Sequence, residues 1–371
     1  ETASSIEATG EHEVTIKLTA PDVEFVWLLS AVHFAITAEN ESFDKGIGTG
    51  AFILEKFQPG VTTLTKRNPN YWNSERGHVD SVETLAMNDS TARVAALVSG
   101  SAQLINRVNP RIVSRIERMP NLKLVRAKDS MIYTFPGLSN LAPFDNVDGR
   151  LALKYAIDRQ QIIDTVLGGY ASVANDNPIF PSNRYFAKDI PQRPYDPEKA
   201  QFHWKKSGFS GPLTLNVADA GFPGAVDAGQ LYQQSAAKAG INLNVVRVPD
   251  DAFWNDIWQK KAFVSSNWAN RPTADALLSL VFTSQSSWNE SAWHVPAFDA
   301  MVKAARGEPD EARRKQIYHD IQVMLVDQGS EIIPLYADAL DGCSTKIKGF
   351  TSVPGMPLSG NRAAEKVWIE G

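Results

Sequence analysis

One cysteine, Cys343, stands alone in the chain. That excludes an internal disulfide framework and any zinc site built on cysteine, and it leaves the compartment open. No apolar run approaches the roughly 20 residues that a membrane-spanning helix needs. There is little excess charge. A net −5 and a pI near 5.8 argue against nucleic acid as the main partner, because phosphate binding asks for a basic face. The six histidines (His12, His33, His78, His203, His294, His319) are scattered, and none has metal-ligand spacing such as HExxH. No GxSxG is present. Without a metal cluster, a cofactor motif or a nucleophile–base constellation, the chain is expected to be neither a metalloprotein nor an enzyme. Paired carboxylates of a glycosidase are the one catalytic arrangement that spacing leaves open, since any two acids can meet in space. There is also no initiator methionine and no signal peptide, so the chain, opening on Glu1 and alternating as a strand by Val14, is expected to be truncated at its N-terminus.

What is present is an ordinary globular composition, 43% hydrophobic and 21% charged, with 371 residues fitting about two domains. The most informative stretch runs from Trp254 to Trp293. It holds five of the nine tryptophans (Trp254, Trp258, Trp268, Trp288, Trp293), interleaved with Asn267, Asn270, Arg271, Asp275 and Asn289. Large aromatic walls with a few orienting polar groups suit a concave small-molecule site. Trp254 and Trp268 are the expected stacking surfaces, while Trp258 and Trp293 are expected to pack. A single tryptophan is ordinarily core, so the case rests on the interleaved polar groups, each of which needs a partner if buried.

Around that stretch the chain reads as an α/β protein. Glu13 to Leu18 alternates as a strand, and Asp22 to Ser30 reads as a short helix. Gly46 to Gly50 lacks phosphate-loop spacing and leads into a strand, AFILEKF, which Pro59-Gly60 joins to VTTLTKR in a hairpin. Ser90 to Gly100 is a helix, Lys123 to Ala127 and Ile132 to Phe135 are two strands, and Arg150 to Gly169 forms one or two helices. From Pro212 onward strands alternate with helices: LTLNV, Ala225 to Ala239, LNVVRV, Asp251 to Lys260, Phe263 to Trp268, Thr273 to Phe282. That order implies a parallel sheet covered on both faces, with ligands beyond the carboxyl ends of its strands. Trp268, Asn270 and Arg271 follow such an end. Helices Pro296 to Arg306 and Glu311 to Asp327, the strand IIPLYA and a loop-rich tail complete the chain.

Seven segments together resemble the extracellular solute-binding proteins of the dipeptide, oligopeptide and nickel ABC importers. They are GTGAF (Gly48 to Phe52), RNPNYW (Arg67 to Trp72), NDSTARVAALVSG (Asn88 to Gly100), PFDNVDGRLALKYAIDR (Pro143 to Arg159), YDPEKA (Tyr195 to Ala200), FDAMVKAAR (Phe298 to Arg306) and Lys346 to Phe350. The resemblance implies a two-lobed type II periplasmic-binding-protein fold, with residues 1–134 and 337–371 in lobe I, incomplete at its N-terminus, and 135–336 in lobe II. It implies a periplasmic receptor that encloses a peptide or small molecule between its lobes and delivers it to ABC importer permease subunits. Peptide-binding relatives place an acid three positions after the tryptophan matching Trp268, to hold the ligand's amine. Here that position is Arg271, and a guanidinium forks onto carboxylates instead. An acid-bearing ligand is therefore expected: a peptide bound differently, an opine, or another amino-acid conjugate.

Expected ligand-binding residues are Trp268, Asn270, Arg271, Asp275, Trp254, Trp288, Asn289 and Asp176. Four of them have a specific structural alternative: an Arg271–Asp275 ion pair four residues apart, turn duty for Asp176 and Asn289, helix-dipole duty for Asp275. The alternative function is a carbohydrate-binding protein or glycosidase, since stacking aromatics with Asn and Asp also suit sugars.

Overall fold

The computed structural model describes residues 3–31, 45–87 and 89–370. His33 and Asn88, the first residue of the NDSTARVAALVSG motif, lie outside the described residues. The chain divides into two compact units: Glu1–Ala31 with Ile132–Ile162 and Val173–Leu335, and Val32–Met131 with Ile163–Ser172 and Tyr336–Gly371. Ala3 to Ala31 thus joins the unit that carries the tryptophan stretch, whereas the resemblance groups it with residues 32–134.

The first unit opens on an antiparallel hairpin, Ala3–Gly10 with Glu13–Leu18, in which Ile6 faces Ile16 and Ala8 faces Val14. The expected Asp22 to Ser30 helix shrinks to Phe25–Leu28, because it has no side-chain cap and no buried face to hold further turns. The amide of Val23 donates to the Arg306 carbonyl at 3.0 Å, and Arg184 pairs with Glu24 at 2.7 Å.

Two strands were expected between Lys123 and Phe135, and the structure has one, Leu122–Pro136, belonging in part to each unit. The polar run Lys128-Asp129-Ser130, which reads as a break, is absorbed without one. Asp129 adopts φ 50°, and Ser130 Oγ donates to the Ala127 carbonyl at 3.0 Å. The IIPLYA strand is likewise longer, Glu331–Ser344. In the sheet, Ser266–Ala269 lies beside Leu122–Pro136, which lies beside Glu331–Ser344.

Leu213–Val217 and Leu243–Arg247 pair in parallel with the helix Ala225–Ala237 between them, as the strand–helix alternation requires. The third expected strand is divided. Val264 makes a single parallel bridge to Asn216, and Ser266–Ala269 pairs in the other sheet. Ser265 is the reason: its amide donates to the Asn216 carbonyl at 3.0 Å and its hydroxyl accepts from the Ala218 amide at 3.3 Å. The core of this unit is aromatic: Phe135, Tyr232 and Phe263 are in mutual ring contact, and Phe144 packs on Phe263. Gly137 permits that packing, since a Cβ there would come within 2.1 Å of the Phe144 ring.

The second unit holds an antiparallel meander, Phe52–Gln58, Thr62–Arg67 and Ser81–Leu85. Gly60, at φ 73°, supplies the left-handed residue that the Pro59-Gly60 turn needs. The helix Ser90–Ser99 starts on Asp89, which accepts from the Ala92 amide at 2.7 Å, and stops at Gly100 with φ 80°. Val94, Leu97, Ile105, Val113, Ile116 and Leu340 form its core. Leu104–Ile105 pairs antiparallel with Glu331–Ser344 through Gly342 and Cys343, and the Cys343 thiol is buried.

Candidate functional site

In the first unit, an expected helix over Asp251 to Lys260 becomes a short turn, Asp250–Ala252, followed by a π-helical turn, Phe253–Ile257. The Trp258 amide reaches back five residues to the Phe253 carbonyl at 3.0 Å, and Gln259 ends the turn at φ 58°. Single π turns of this kind recur at functional sites. This one sets Trp254 against Trp258, with ring centroids 5.8 Å apart at 70°.

Trp258 is the centre of an aromatic group. Trp288 approaches it at 5.6 Å and Trp268 at 6.4 Å, while Trp268 and Trp288 meet edge to face at 5.9 Å. The outer members differ sharply in access: Trp254 is 44% exposed and Trp288 50%, against 7% for Trp268. Trp293 is buried against Phe298, ring centroids 5.3 Å apart.

Beneath the rings lies a carboxylate that the sequence reading missed. Glu290 is 2% exposed. Its Oε1 accepts from the Trp268 indole N–H at 2.7 Å, and its Oε2 accepts from the Ser266 hydroxyl at 2.6 Å and from the Trp258 indole N–H. Burial pushes its carboxyl up to about 7, against the opposing pull of those three donors. Glu331, fully buried with one oxygen accepting from Thr134 at 3.2 Å, lies well above the ordinary glutamate range because of burial first and the Glu290 charge second. Glu290 stands in plain sight within Trp288-Asn289-Glu290-Ser291, but its partners are 22 to 32 residues away.

Arg271 follows the strand Ser266–Ala269 by two residues. Among the described residues it has no ion pair. Its Nε is buried without a hydrogen-bond partner, and burial alone lowers its basicity. The Arg271–Asp275 pair offered as the structural alternative does not form. Asp275 is taken by Arg306, whose Nε donates to both carboxylate oxygens at 3.1 and 3.0 Å, and by Ser279 at 3.2 Å. Burial still holds the Asp275 carboxyl above its usual range. Asn270 donates to Ser182 Oγ at 3.4 Å.

Asn289 donates to the carbonyls of Phe282, Thr283 and Trp293 at 3.2–3.3 Å and accepts from Ser291, so its amide closes the loop beneath Trp288. Asp176, at φ 58°, is buried in a charged node. It accepts from Arg159 at 2.7 Å, Arg193 at 2.9 Å and the Ile333 amide at 3.0 Å. Its neighbour Lys154, fully buried, donates to the carbonyls of Leu325 and Val326, and burial brings its amine down to about 7. The structure therefore gathers Trp254, Trp258, Trp268 and Trp288 with Glu290, and gives Asp275, Asn289 and Asp176 partners within the protein. A cleft of about 530 Å³ elsewhere on this unit, lined by Pro143, Asp145, Asn146 and Phe209 among others, includes none of these residues. No group of three or more metal-ligating side chains is found among the described residues.

Comparison with known proteins follows the same lines. The family model described as bacterial extracellular solute-binding proteins, family 5 Middle, matches residues 1–289. Heme-binding protein A of Haemophilus influenzae is 25% identical over 380 residues, covering 95% of this chain and 68% of the relative. The dipeptide-binding protein of Escherichia coli is 24% identical over 381 residues, covering 95% of this chain and 70% of the relative. Among solved structures, the ABC transporter-associated periplasmic binding protein DppA from Helicobacter pylori, in complex with the peptide STSA, matches with a TM-score of 0.87 at 21% identity. That match covers 100% of this chain and 75% of DppA. The fold is thus the α/β fold of the periplasmic binding proteins.

Proposed function

The chain belongs to the family 5 bacterial extracellular solute-binding proteins, and on that premise we propose that it is the substrate-binding component of a peptide-type ABC importer. Its solute in this reading is a small, carboxylate-bearing amino-acid derivative: a peptide, an opine or a related conjugate. The observation that supports this class is Arg271. A half-buried guanidinium without a carboxylate partner among the described residues is an expensive arrangement unless an anion completes it. A peptide has such an anion at its C-terminus, and the Escherichia coli relative is named for dipeptides. Asn270 adds a polar contact, and the exposed faces of Trp254 and Trp288 take the body of the solute. Trp268, Asp275, Asn289 and Asp176 hold the frame around them.

The same reading makes the protein a receptor without turnover, residing in the periplasm and handing its solute to permease subunits. No helix among the described residues is long and apolar enough to cross a membrane. Family membership gives no support to the carbohydrate-cleaving alternative. The test is thermal-shift screening with dipeptides, tripeptides, opines and oligosaccharides, since a ligand that binds only the native state raises the unfolding midpoint. An acid-bearing solute is expected to raise it. Arg271→Ala is then expected to weaken that solute by roughly 2–5 kcal/mol, the range for truncating one partner of a buried charge pair. Unchanged affinity in the variant, or equal binding of a C-terminally amidated peptide, refutes the assignment.

A further inference from the structure

We propose that the shelf formed by Trp254, Trp258 and Trp288, backed by the Glu290 carboxylate, is the subsite for an organic ammonium group. The inference rests on the receptor reading above, but it concerns a different part of the solute from the one assigned to Arg271.

Three features of the shelf converge. Trp258 lies between two half-exposed indoles, 5.8 Å from Trp254 and 5.6 Å from Trp288, so solvent meets a continuous aromatic surface rather than one isolated ring. Clustered exposed aromatics mark binding surfaces, whereas single ones do not. Next, the indole N–H groups of Trp258 and Trp268 are both spent on Glu290. With its N–H so engaged, what Trp258 can offer a guest is its π face, which carries the negative end of the ring quadrupole. An indole that donates its N–H to a carboxylate is polarised toward its ring, which strengthens that face. Finally, no cation of the protein is paired with the carboxyl behind the rings among the described residues: its three donors are two indoles and a hydroxyl, so a guest cation would meet no competitor and would draw Glu290 toward its charged form.

Among the described residues, no cationic side chain is found over these indole rings. The cation–π pairs among the described residues all use tyrosine rings. Lys260, the nearest lysine in sequence, turns its ammonium to the Asn255 carbonyl. Asp256, exposed and two residues from Trp254, adds negative charge to the rim. A quaternary or primary ammonium can sit within about 6 Å of a ring centroid and gain from the face and from the buried charge together. A neutral group of the same shape gains only the dispersion. Arginine and lysine side chains of peptides, N-terminal amines and betaines all present this chemistry.

The experiment uses choline and its uncharged isostere 3,3-dimethylbutan-1-ol, read by quenching of tryptophan fluorescence and by titration calorimetry on the full chain. Choline is expected to bind at least about tenfold more tightly than the isostere, equivalent to about 1.4 kcal/mol. Trp254→Ala and Trp288→Ala change exposed side chains, so they are expected to leave the unfolding midpoint in place and to abolish most of that preference. Glu290→Gln is expected to reduce the preference several-fold while both alanine variants remain as controls should it fail to fold. Equal binding of choline and the isostere overturns the proposal, as does a preference that survives in the Trp254→Ala/Trp288→Ala double variant. Choline has no carboxylate, so Arg271→Ala is expected to leave its binding unchanged. A shelf that ignores choline in a protein that still binds acids through Arg271 sinks this inference alone. Choline binding in a protein whose acid ligands ignore Arg271→Ala sinks the solute class alone.

Discussion

Asp275 shows how an ion pair legible at four-residue spacing loses to one that is not. The helix Ala274–Val281 offers Arg271 one turn away, yet Arg306 from the helix Pro296–Gly307 reaches the same carboxylate with a forked contact that spacing cannot reveal. The consequence is that Arg271 has no ion pair among the described residues, and that guanidinium is the charge on which the proposed solute class rests. Asp176 is the opposite case, an acid surrounded by Lys154, Arg159 and Arg193. Asp176→Asn keeps the shape and removes the buried countercharge that Arg159 and Arg193 share, so urea denaturation should show a loss of about 3–5 kcal/mol, as for other broken buried pairs. Glu290 makes a pH prediction. Its folded value, raised to about 7, exceeds the ordinary glutamate value of 4.5, so it favours the native state fully below the lower value and loses that contribution as pH rises through the higher. Glu331 shifts in the same direction. Melting midpoints measured from pH 5 to pH 8 should fall in the wild type and fall less in Glu290→Gln. An equal slope in both would remove Glu290 as the cause.

At the scale of elements, the legible features are those written locally. The helix Ser90–Ser99 has its acid cap and its glycine stop in sequence, and Pro197–Ser207 repeats the scheme with Asp196 accepting from the Lys199 amide and Gly208 at φ 74°. Asp89→Ala should cost about 0.5–2 kcal/mol in chemical denaturation, the usual range for losing a cap; a smaller cost would mean water replaces it. The elements misjudged are those whose outcome is decided elsewhere. Lys128 to Ser130 reads as a break, yet the strand continues because the Asp129 amide finds Asp338 Oδ1 at 3.0 Å, more than two hundred residues on. The π turn at Phe253–Ile257 is invisible to periodicity, since five residues are too short a window to tell its repeat from that of an α-helix.

For the whole molecule, composition and the ordered run of motifs made fold and family readable, because both are sums over many residues. The site was only half readable, because its members cluster in sequence while the pairing of Glu290 with Ser266, Trp258 and Trp268 is made across 22 to 32 residues by tertiary contact. The lone buried thiol of the second unit has a practical consequence. Burial pushes Cys343 up to about 11, so the folded chain offers an electrophile neither access nor thiolate. Alkylation of Cys343 should therefore track opening of that unit, following the denaturant dependence of unfolding rather than reagent concentration once reagent is in excess. Labelling at the speed of a free thiol would show the site to be open already. Nature has thus supplied a one-atom clock for this half of the chain, with no engineered probe required.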